Sequence, residues 1–239
     1  MNTVLIEKGS CKMVAHRGVS GLELENTCAA FVAAGVKSYY GIETDVHVTS
    51  DGKYVIFHDD DMKRIAGVDL VIEKTDFERI RSVRLPDKDG KTYRSDLIVP
   101  TLEDYIAVCR KYDKVAVLEL KNYMEPRHVE AIASVVKKMG WFEKTTFISF
   151  CADNLIVLRK LYADASIQLL ADKLDDECFE LMKKYRFDAD LYGKFVTGET
   201  VSRLHAAGIK VNCWTIDDPN NAAELIAMGV DFITSNILE

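Results

Sequence analysis

The spacing of apolar residues along the chain switches repeatedly between two periods. Short apolar or alternating runs fall at 12–16 (KMVAH), 41–48 (GIETDVHV), 114–120 (KVAVLEL), 145–150 (TTFISF), 166–170 (SIQLL), 187–192 (FDADLY), 208–214 (GIKVNCW) and 230–234 (VDFIT). Each has the length of a strand. Helical spacing fills the gaps. Segment 26–34 carries Phe31 and Val32 among alanines, and 127–139 places Val129, Ile132, Val135 and Val136 on one face. Leu155, Leu158 and Leu161 mark another helix, Phe179 and Met182 the next, and 199–207 and 219–228 complete the series. Pro126 and Pro219 stand where helices begin; Gly140, Gly208 and Gly229 stand where they end. Eight strands alternating with helices predict a (β/α)8 TIM barrel in preference to an open doubly wound sheet. The chain closes on TSNILE, which leaves little room for an eighth outer helix, so the N-terminal segment is expected to cover that part of the barrel.

One connection breaks the alternation. Segment 49–101 is rich in Asp, Lys and Arg and includes YVIFH and PDKDGKTYRSD. A loop of that length in a compact domain is functional or a small inserted subdomain. The expectation is one catalytic barrel domain over 1–239 with a subdomain inserted at about 49–101. Because the segment follows the second strand, it rises from the C-terminal face, where barrel active sites are built.

The second strand carries an unusual row. Alternation puts Glu43, Asp45 and His47 on one face and Ile42, Thr44, Val46 and Val48 on the other. In a barrel, the first two converge with His16 and Arg17 from the end of strand one, Glu119 and Lys121 from strand three, and Trp214 from strand seven. His47 lies one step further up, toward solvent. Glu43 and Asp45 are two residues apart, so their Cα atoms are separated by roughly 6.6 Å and both can reach one cation. Three inward carboxylates in a low-dielectric site need a countercharge. A hard divalent cation supplies it, and all-oxygen ligation favours Mg²⁺ or Ca²⁺ over zinc. A salt-bridged network with Arg17 and Lys121 is the alternative.

His16 and His58 each end an apolar run, and two histidines near carboxylates and cations suit general acid–base work. His128 and His205 fall on helices. Arg17 offers a planar fork and Lys121 a compact charge for an anion, although Arg17 also has Glu25 within reach. Trp214 is expected either to wall the pocket or to be a tryptophan packed at its strand end. The set suits metal-assisted hydrolysis of a phosphate ester. A glycosidase also uses paired carboxylates, but it needs neither metal nor phosphate-binding cations.

Composition narrows the partners. The chain has 239 residues, 48% of them hydrophobic and 29% charged, a globular profile with ample core. A net charge of −7 argues against a general nucleic-acid surface yet permits a small anionic substrate held by local cations. The six cysteines show no CxxC pair and no zinc spacing, so a reduced, cytoplasmic chain is expected. The N-terminus lacks the apolar core of a signal peptide, and no run approaches the roughly 20 residues of a membrane span. No stable membrane association is expected.

The motifs AHRG (15–18), ENT (25–27), GIETDVHVTSDGKYVIFHD (41–59), the following Arg64, VPTLED (99–104), LELK (118–121), CWTIDD (213–218) and GVDFITSN (229–236) together resemble the glycerophosphodiester phosphodiesterases. The resemblance spans nearly the whole chain, and the first sixty residues are its most specific part. It implies that Glu43, Asp45 and Glu119 ligate one divalent cation, Mg²⁺ or Ca²⁺. His16 and His58 become the acid–base pair, with Arg17 and Lys121 on the phosphate. The long connection looks like the family's small insertion, which delivers His58. The implied reaction converts glycerophosphodiesters, such as glycerophosphocholine or glycerophosphoethanolamine, to sn-glycerol 3-phosphate and an alcohol. A lysophospholipase D-like activity would need an apolar landing surface, and no amphipathic helix or hydrophobic loop stands out in the sequence. A non-catalytic phosphodiester-binding barrel would be expected to have lost some of these residues. Leu24 replaces the family's usual proline before ENT, Asp217 its asparagine after WT, and Ser235-Asn236 its terminal Asp-Tyr. The departure at 24 bears on the shape of a loop and those at 217, 235 and 236 on glycerol or head-group preference; none removes a ligand or histidine.

Overall fold

The computed structural model describes residues 2–239. Its elements run β1 (Lys12–Ala15), α1 (Cys28–Gly35), β2 (Gly41–Val48), β3 (Tyr54–Ile56), α2 (Lys63–Ala66), α3 (Phe77–Arg81), α4 (Leu102–Lys111) and β4 (Val115–Leu120). They continue with α5 (Pro126–Lys138), β5 (Thr145–Ser149), α6 (Ala152–Leu161), β6 (Ser166–Ala171), α7 (Asp176–Tyr185) and β7 (Asp188–Tyr192). Then come α8 (Gly198–Ala206), β8 (Val211–Trp214), α9 (Pro219–Met228) and β9 (Phe232–Ser235). Every strand except β3 belongs to one parallel ring, β1-β2-β4-β5-β6-β7-β8-β9, in which β9 pairs back onto β1. This is the (β/α)8 TIM barrel.

Strand alternation separates two cores. Outward residues such as Ile42, Val46, Leu118, Phe147 and Ile167 are buried against the helices. Inward Val14, Val117, Ile148 and Leu170 pack along the axis. Truncating one of these large buried side chains to alanine removes about 2–5 kcal/mol. Alternation of the same parity places Glu43, Asp45 and Glu119 on the inward face, so their position follows from the frame that buries the apolar residues.

Helix termini follow local rules. Pro126 and Pro219 open α5 and α9, where a missing N–H costs nothing, and Asp218 caps α9 by accepting from the Asn220 and Asn221 N–H groups. The sequence reading placed no helix between 101 and 114, whereas the structure has α4 there. Its start is a capping box: Thr101 accepts from the Asp104 N–H, and the Asp104 carboxylate accepts from the Thr101 N–H. Leu102, Tyr105, Ile106 and Cys109 form its buried stripe.

The N-terminal segment lies beside the chain end, as expected. Val4 pairs in parallel with Leu238, and Thr3 Oγ1 donates to Glu239 Oε2 at 2.5 Å. Segment 49–101 holds β3, α2 and α3. β3 lies outside the ring and pairs antiparallel with β2, Val46 opposite Ile56 and His47 opposite Val55. Val55, Phe57, Met62, Ile72, Ile80 and Leu97 belong to a cluster of their own. Leu24 from the loop after β1 is buried in that cluster, which gives this apolar departure a packing role. All six cysteines are free thiols. Among the described residues no helix is long and apolar enough to cross a membrane.

Candidate active site

The turn after β1 sets the geometry. Arg17 and Asn26 adopt left-handed backbone (φ 52° and 54°), a conformation that costs non-glycine residues energy and clusters at functional sites. Gly18, next to Arg17, has φ 75°, and a Cβ there would lie 2.6 Å from the Ala30 carbonyl carbon, so only glycine fits. Bent this way, the Arg17 N–H donates to Glu43 Oε2 at 2.8 Å. Asn26 Nδ2 donates to Asp45 Oδ2 at 2.8 Å, while its Oδ1 accepts from Thr44 Oγ1.

Glu43, Asp45 and Glu119 are all buried, and one oxygen from each lies within 4.8 Å of the others, the only such cluster among the described residues. Lys121 Nζ stands 3.0 Å from Glu119 Oε1 and 3.4 Å from Asp45 Oδ1, and Arg17 Nε stands 3.8 Å from Asp45 Oδ2. These cations do not balance the site. Burial, then the neighbouring charge of Asp45, pushes Glu43 well above the usual carboxylate range and Glu119 up to about 8. For Asp45 burial acts in the same sense, but the charges of Lys121, His58 and Arg17 outweigh it and hold the carboxyl low. Asp45 Oδ1 is buried with no hydrogen-bond donor. A free carboxylate oxygen among all-oxygen donors, next to carboxyls held protonated by burial and repulsion, fits a hard divalent cation.

The two histidines arrive from different parts of the fold. His16 follows β1, and its Nδ1 lies 2.8 Å from Asn236 Oδ1. Asn236 Nδ2 donates to Asp217 Oδ2 at 2.5 Å, which fixes the amide orientation and makes His16 Nδ1 the donor. His16 Nε2 then carries the lone pair, 4.0 Å from Glu43 Oε2. Burial, reinforced by the charge of Arg17, lowers the His16 pKa to about 4. His58 comes from the inserted segment, anchored where the Phe57 N–H donates to the Asp45 carbonyl at 3.0 Å. Its Nδ1 donates to Asp59 Oδ1 at 2.7 Å, leaving Nε2 free to accept. Burial lowers its pKa as well. Asp217 also accepts from Ser235 Oγ and the Asn236 N–H, so the departures at 217, 235 and 236 form one network that ends on His16.

A second ionic group lies beside the first. Arg64 donates through two nitrogens to Glu25 (2.7 and 2.8 Å) and to Asp59 (2.7 Å), and Arg17 Nη1 donates to Glu25 Oε1 at 2.8 Å. It runs from His58 to Arg17 and ties the inserted segment to the barrel. The structure therefore brings His16, Arg17, Glu43, Asp45, His58, Glu119 and Lys121 together, and Trp214 lines the same cleft. His47 is a correction. It is 0% exposed rather than solvated, because the insertion packs over β2 and presents Glu73 Oε1 at 3.1 Å from His47 Nδ1.

The opposite side of the cleft is aromatic. Trp214 Nε1 donates to the Asp190 carbonyl at 3.2 Å, and its ring lies 5.6 Å from Phe150 and 5.3 Å from Tyr192. Phe150 is 51% exposed at the rim. The sequence reading did not single out Phe150, Asp59 or Asp190. Asp59 was readable as the neighbour of a strand-end histidine, and Asp190 as an acid within FDADLY. Only the register of β7 shows that Asp190 points inward.

Comparison with known proteins places the chain among phosphodiesterases. The profile of the glycerophosphoryl diester phosphodiesterase family matches residues 16–238. A glycerophosphodiester phosphodiesterase of Caldanaerobacter subterraneus is 26% identical, with 94% of this chain and 93% of the relative covered. A phosphodiesterase of Oleispira antarctica, solved in complex with the product sn-glycerol-3-phosphate, is 28% identical with a TM-score of 0.86, covering 95% of this chain and 93% of the other. A glycerophosphodiester phosphodiesterase from Parabacteroides distasonis is also 28% identical, with a TM-score of 0.80 and 96% and 94% of the chains covered.

Proposed function

The chain belongs to the glycerophosphoryl diester phosphodiesterase family, and on that premise we propose that its cleft hydrolyses glycerophosphodiesters to sn-glycerol 3-phosphate and an alcohol. Glycerophosphocholine and glycerophosphoethanolamine are the expected substrates. The observation that carries this reading is one cleft holding three carboxylate oxygens within 4.8 Å of one another, two histidines and two cations. The relative solved with sn-glycerol-3-phosphate supports the assignment of product.

Glu43, Asp45 and Glu119 would hold a divalent cation, Mg²⁺ or Ca²⁺. Such a cation supplies Lewis-acid stabilisation of charge on a phosphoryl oxygen. The remaining work falls to side chains. Lys121 and Arg17 attract the phosphodiester anion and hold it against the carboxylate wall. His16 and His58 divide the proton transfers. His16 is kept neutral by burial and presents Nε2 as a proton acceptor, so it suits the general base. Burial lowers the pKa of His58 as well, but Asp45 and the Asp59 carboxylate oppose that effect, so of the two histidines it is the better suited to carry a proton to the leaving alcohol.

A specific feature favours a second reading. The rings of Phe150, Trp214, Tyr192 and Phe195 form a contiguous row at the mouth, each neighbouring pair within 5.8 Å between centroids. Such a row would accept the acyl chain of a lysophospholipid. Incubating the protein with glycerophosphocholine and with lysophosphatidylcholine, with and without EDTA, separates the readings. Glycerol 3-phosphate release that EDTA abolishes is the expected result. Turnover of the lipid alone would move the assignment to the second reading, and no turnover of either with metal supplied would overturn both.

A further inference from the structure

Asp190 is the one carboxylic acid lining this cleft that the proposed mechanism leaves without a task. It is 2% exposed, and its Oδ1 has no hydrogen-bond partner. Its side chain lines the cleft together with Leu170, Ile148, Trp214, Thr234 and Glu119. Of the polar groups nearest in the strand order, Asn212 donates through Nδ2 to Gln168 Oε1 and accepts at Oδ1 from Thr234 Oγ1, so only its second N–H is left to face the Asp190 carboxyl, and Asp190 Oδ1 stays without a partner. A buried oxygen without a partner destabilises the fold unless something else satisfies it. Its position says what could do so. β7 is the fourth neighbour of β2 in either direction round the ring, so Asp190 faces the metal-binding wall from straight across the barrel. A phosphodiester anchored by Arg17 and Lys121 on that wall would have an organic end within reach of the opposite wall, where Asp190 lies.

We propose that Asp190 is a specificity-determining residue that hydrogen-bonds a hydroxyl of the glycerol moiety, an assignment that rests on the hydrolysis reading above. The chemistry selects a hydroxyl over the alternatives. A phosphate oxygen is already served by Arg17 and Lys121 on the opposite wall. An ammonium head group needs a charged carboxylate, whereas burial and the charge of Glu119 push the Asp190 carboxyl well above its usual range. A hydroxyl can donate to the ionised form and accept from the protonated one, so it satisfies Oδ1 in either state. The apolar walls of Ile148, Leu170 and Trp214 exclude the water that would otherwise compete.

The test compares binding of sn-glycerol 3-phosphate and methyl phosphate by calorimetry, with Mg²⁺ present, in the wild-type protein and in Asp190→Leu and Asp190→Asn. Methyl phosphate keeps the phosphoryl group and lacks the hydroxyls. Asp190→Leu is expected to weaken glycerol 3-phosphate about tenfold and to leave methyl phosphate within about twofold. Asp190→Asn, which still hydrogen-bonds, should restore glycerol 3-phosphate affinity to within about threefold of wild type. Asp190→Ala repeats the comparison if leucine prevents folding, which circular dichroism reads directly. Unchanged glycerol 3-phosphate binding in Asp190→Leu or Asp190→Ala overturns the proposal, as does an equal loss for both ligands. The hydrolysis reading is scored separately, by wild-type turnover of glycerophosphocholine. Its failure alongside a selective loss of glycerol 3-phosphate binding would reject the reaction and retain the role of Asp190.

Discussion

Two groups of acidic residues lie side by side at the mouth of this barrel, and they behave in opposite ways. In the seam between insertion and barrel, Glu25 and Asp59 face Arg17 and Arg64, with contacts of 2.7–2.8 Å between carboxylate and guanidinium. Both carboxyls are held below their ordinary range, Asp59 at about 2, because the bonds to arginine outweigh burial. In the centre, Glu43, Asp45 and Glu119 share Lys121 and a distant edge of Arg17. There Glu43 and Glu119 are pushed up. The two groups have similar residue types and lie within one network. What separates them is deeper burial with less countercharge for each carboxyl, and in the centre only Asp45, which both Lys121 and Arg17 face, stays low. A matched group is a clamp; an unmatched one is built for a charge that the protein does not itself supply.

Removing a ligand breaks the comparison most severely. Asp45→Asn or Glu119→Gln should lower turnover of glycerophosphocholine roughly 10⁴-fold, the several kcal/mol that a metal centre contributes to a phosphoryl transition state. Ca²⁺ or Mg²⁺ is expected to raise the melting temperature of the wild-type protein, and the same variants should lose that rise. A variant that kept that rise would show that the cation binds elsewhere. His16→Ala and His58→Ala come next. Each should lower kcat roughly 10³-fold through loss of general acid or base catalysis, while the cation-dependent melting shift survives. Should either histidine variant keep near wild-type turnover with metal bound, the acid–base assignment is wrong.

The barrel was readable in the sequence because each ring strand is a short apolar run whose partner faces are set by alternation. The inward placement of Glu43, Asp45 and Glu119 followed from the same parity. Helix α4 went unread although Leu102, Tyr105, Ile106 and Cys109 have helical spacing and Thr101 with Asp104 forms its cap. The insertion was legible only as a length. Its cluster of Val55, Met62, Ile72 and Ile80 is assembled from elements of three to five residues, too short to show a period. His47 illustrates the consequence. Read along its own strand it pointed to solvent, but burial is decided by what folds over a strand, and here that cover comes from Glu73, 26 residues later. Asp59, Asn236 and Asp217 support the two histidines through contacts that no spacing rule encodes. Trp214 lines the cleft, and its neighbours Phe150 and Tyr192 emerge only from the ring order of the strands.

The difference in countercharge also predicts a pH dependence. Without metal, Glu119 titrates near 8 in the folded protein against an ordinary value of 4.5. The folded state therefore binds more protons than the unfolded one across that interval, and stability falls as pH rises through it. His16 acts in the opposite sense between about 4 and its ordinary 6.5, because there the unfolded state binds the extra proton. The interval from pH 6.5 to 8 thus isolates the carboxylates. In EDTA, denaturant titrations across it should show a loss on the order of 1 kcal/mol. Saturating Ca²⁺ or Mg²⁺ should flatten the slope, since a cation replaces the protons. Glu25→Gln, in the matched group, should leave the slope as it is. A slope that saturating cation leaves unchanged would detach it from Glu43, Asp45 and Glu119.

The smallest effect is expected from Arg64→Met, which removes the central guanidinium of the seam and keeps most of the side chain's length. Arg64 is 47% exposed, and ion pairs in contact with solvent contribute about 1 kcal/mol or less even with good geometry. The deletion leaves Glu25 paired with Arg17 and Asp59 paired with His58, so neither carboxylate becomes an isolated buried charge. Stability to denaturant should fall by about 1 kcal/mol at most. Turnover should fall about threefold, as looser attachment of the insertion widens the positions available to His58. The cation-dependent melting shift should be unaltered, because Arg64 touches none of the three ligands. A hundredfold loss of turnover, or a lost response to the cation, would place Arg64 in the chemistry. The division between a clamp and a ligand set would then fail at the point where the two groups meet.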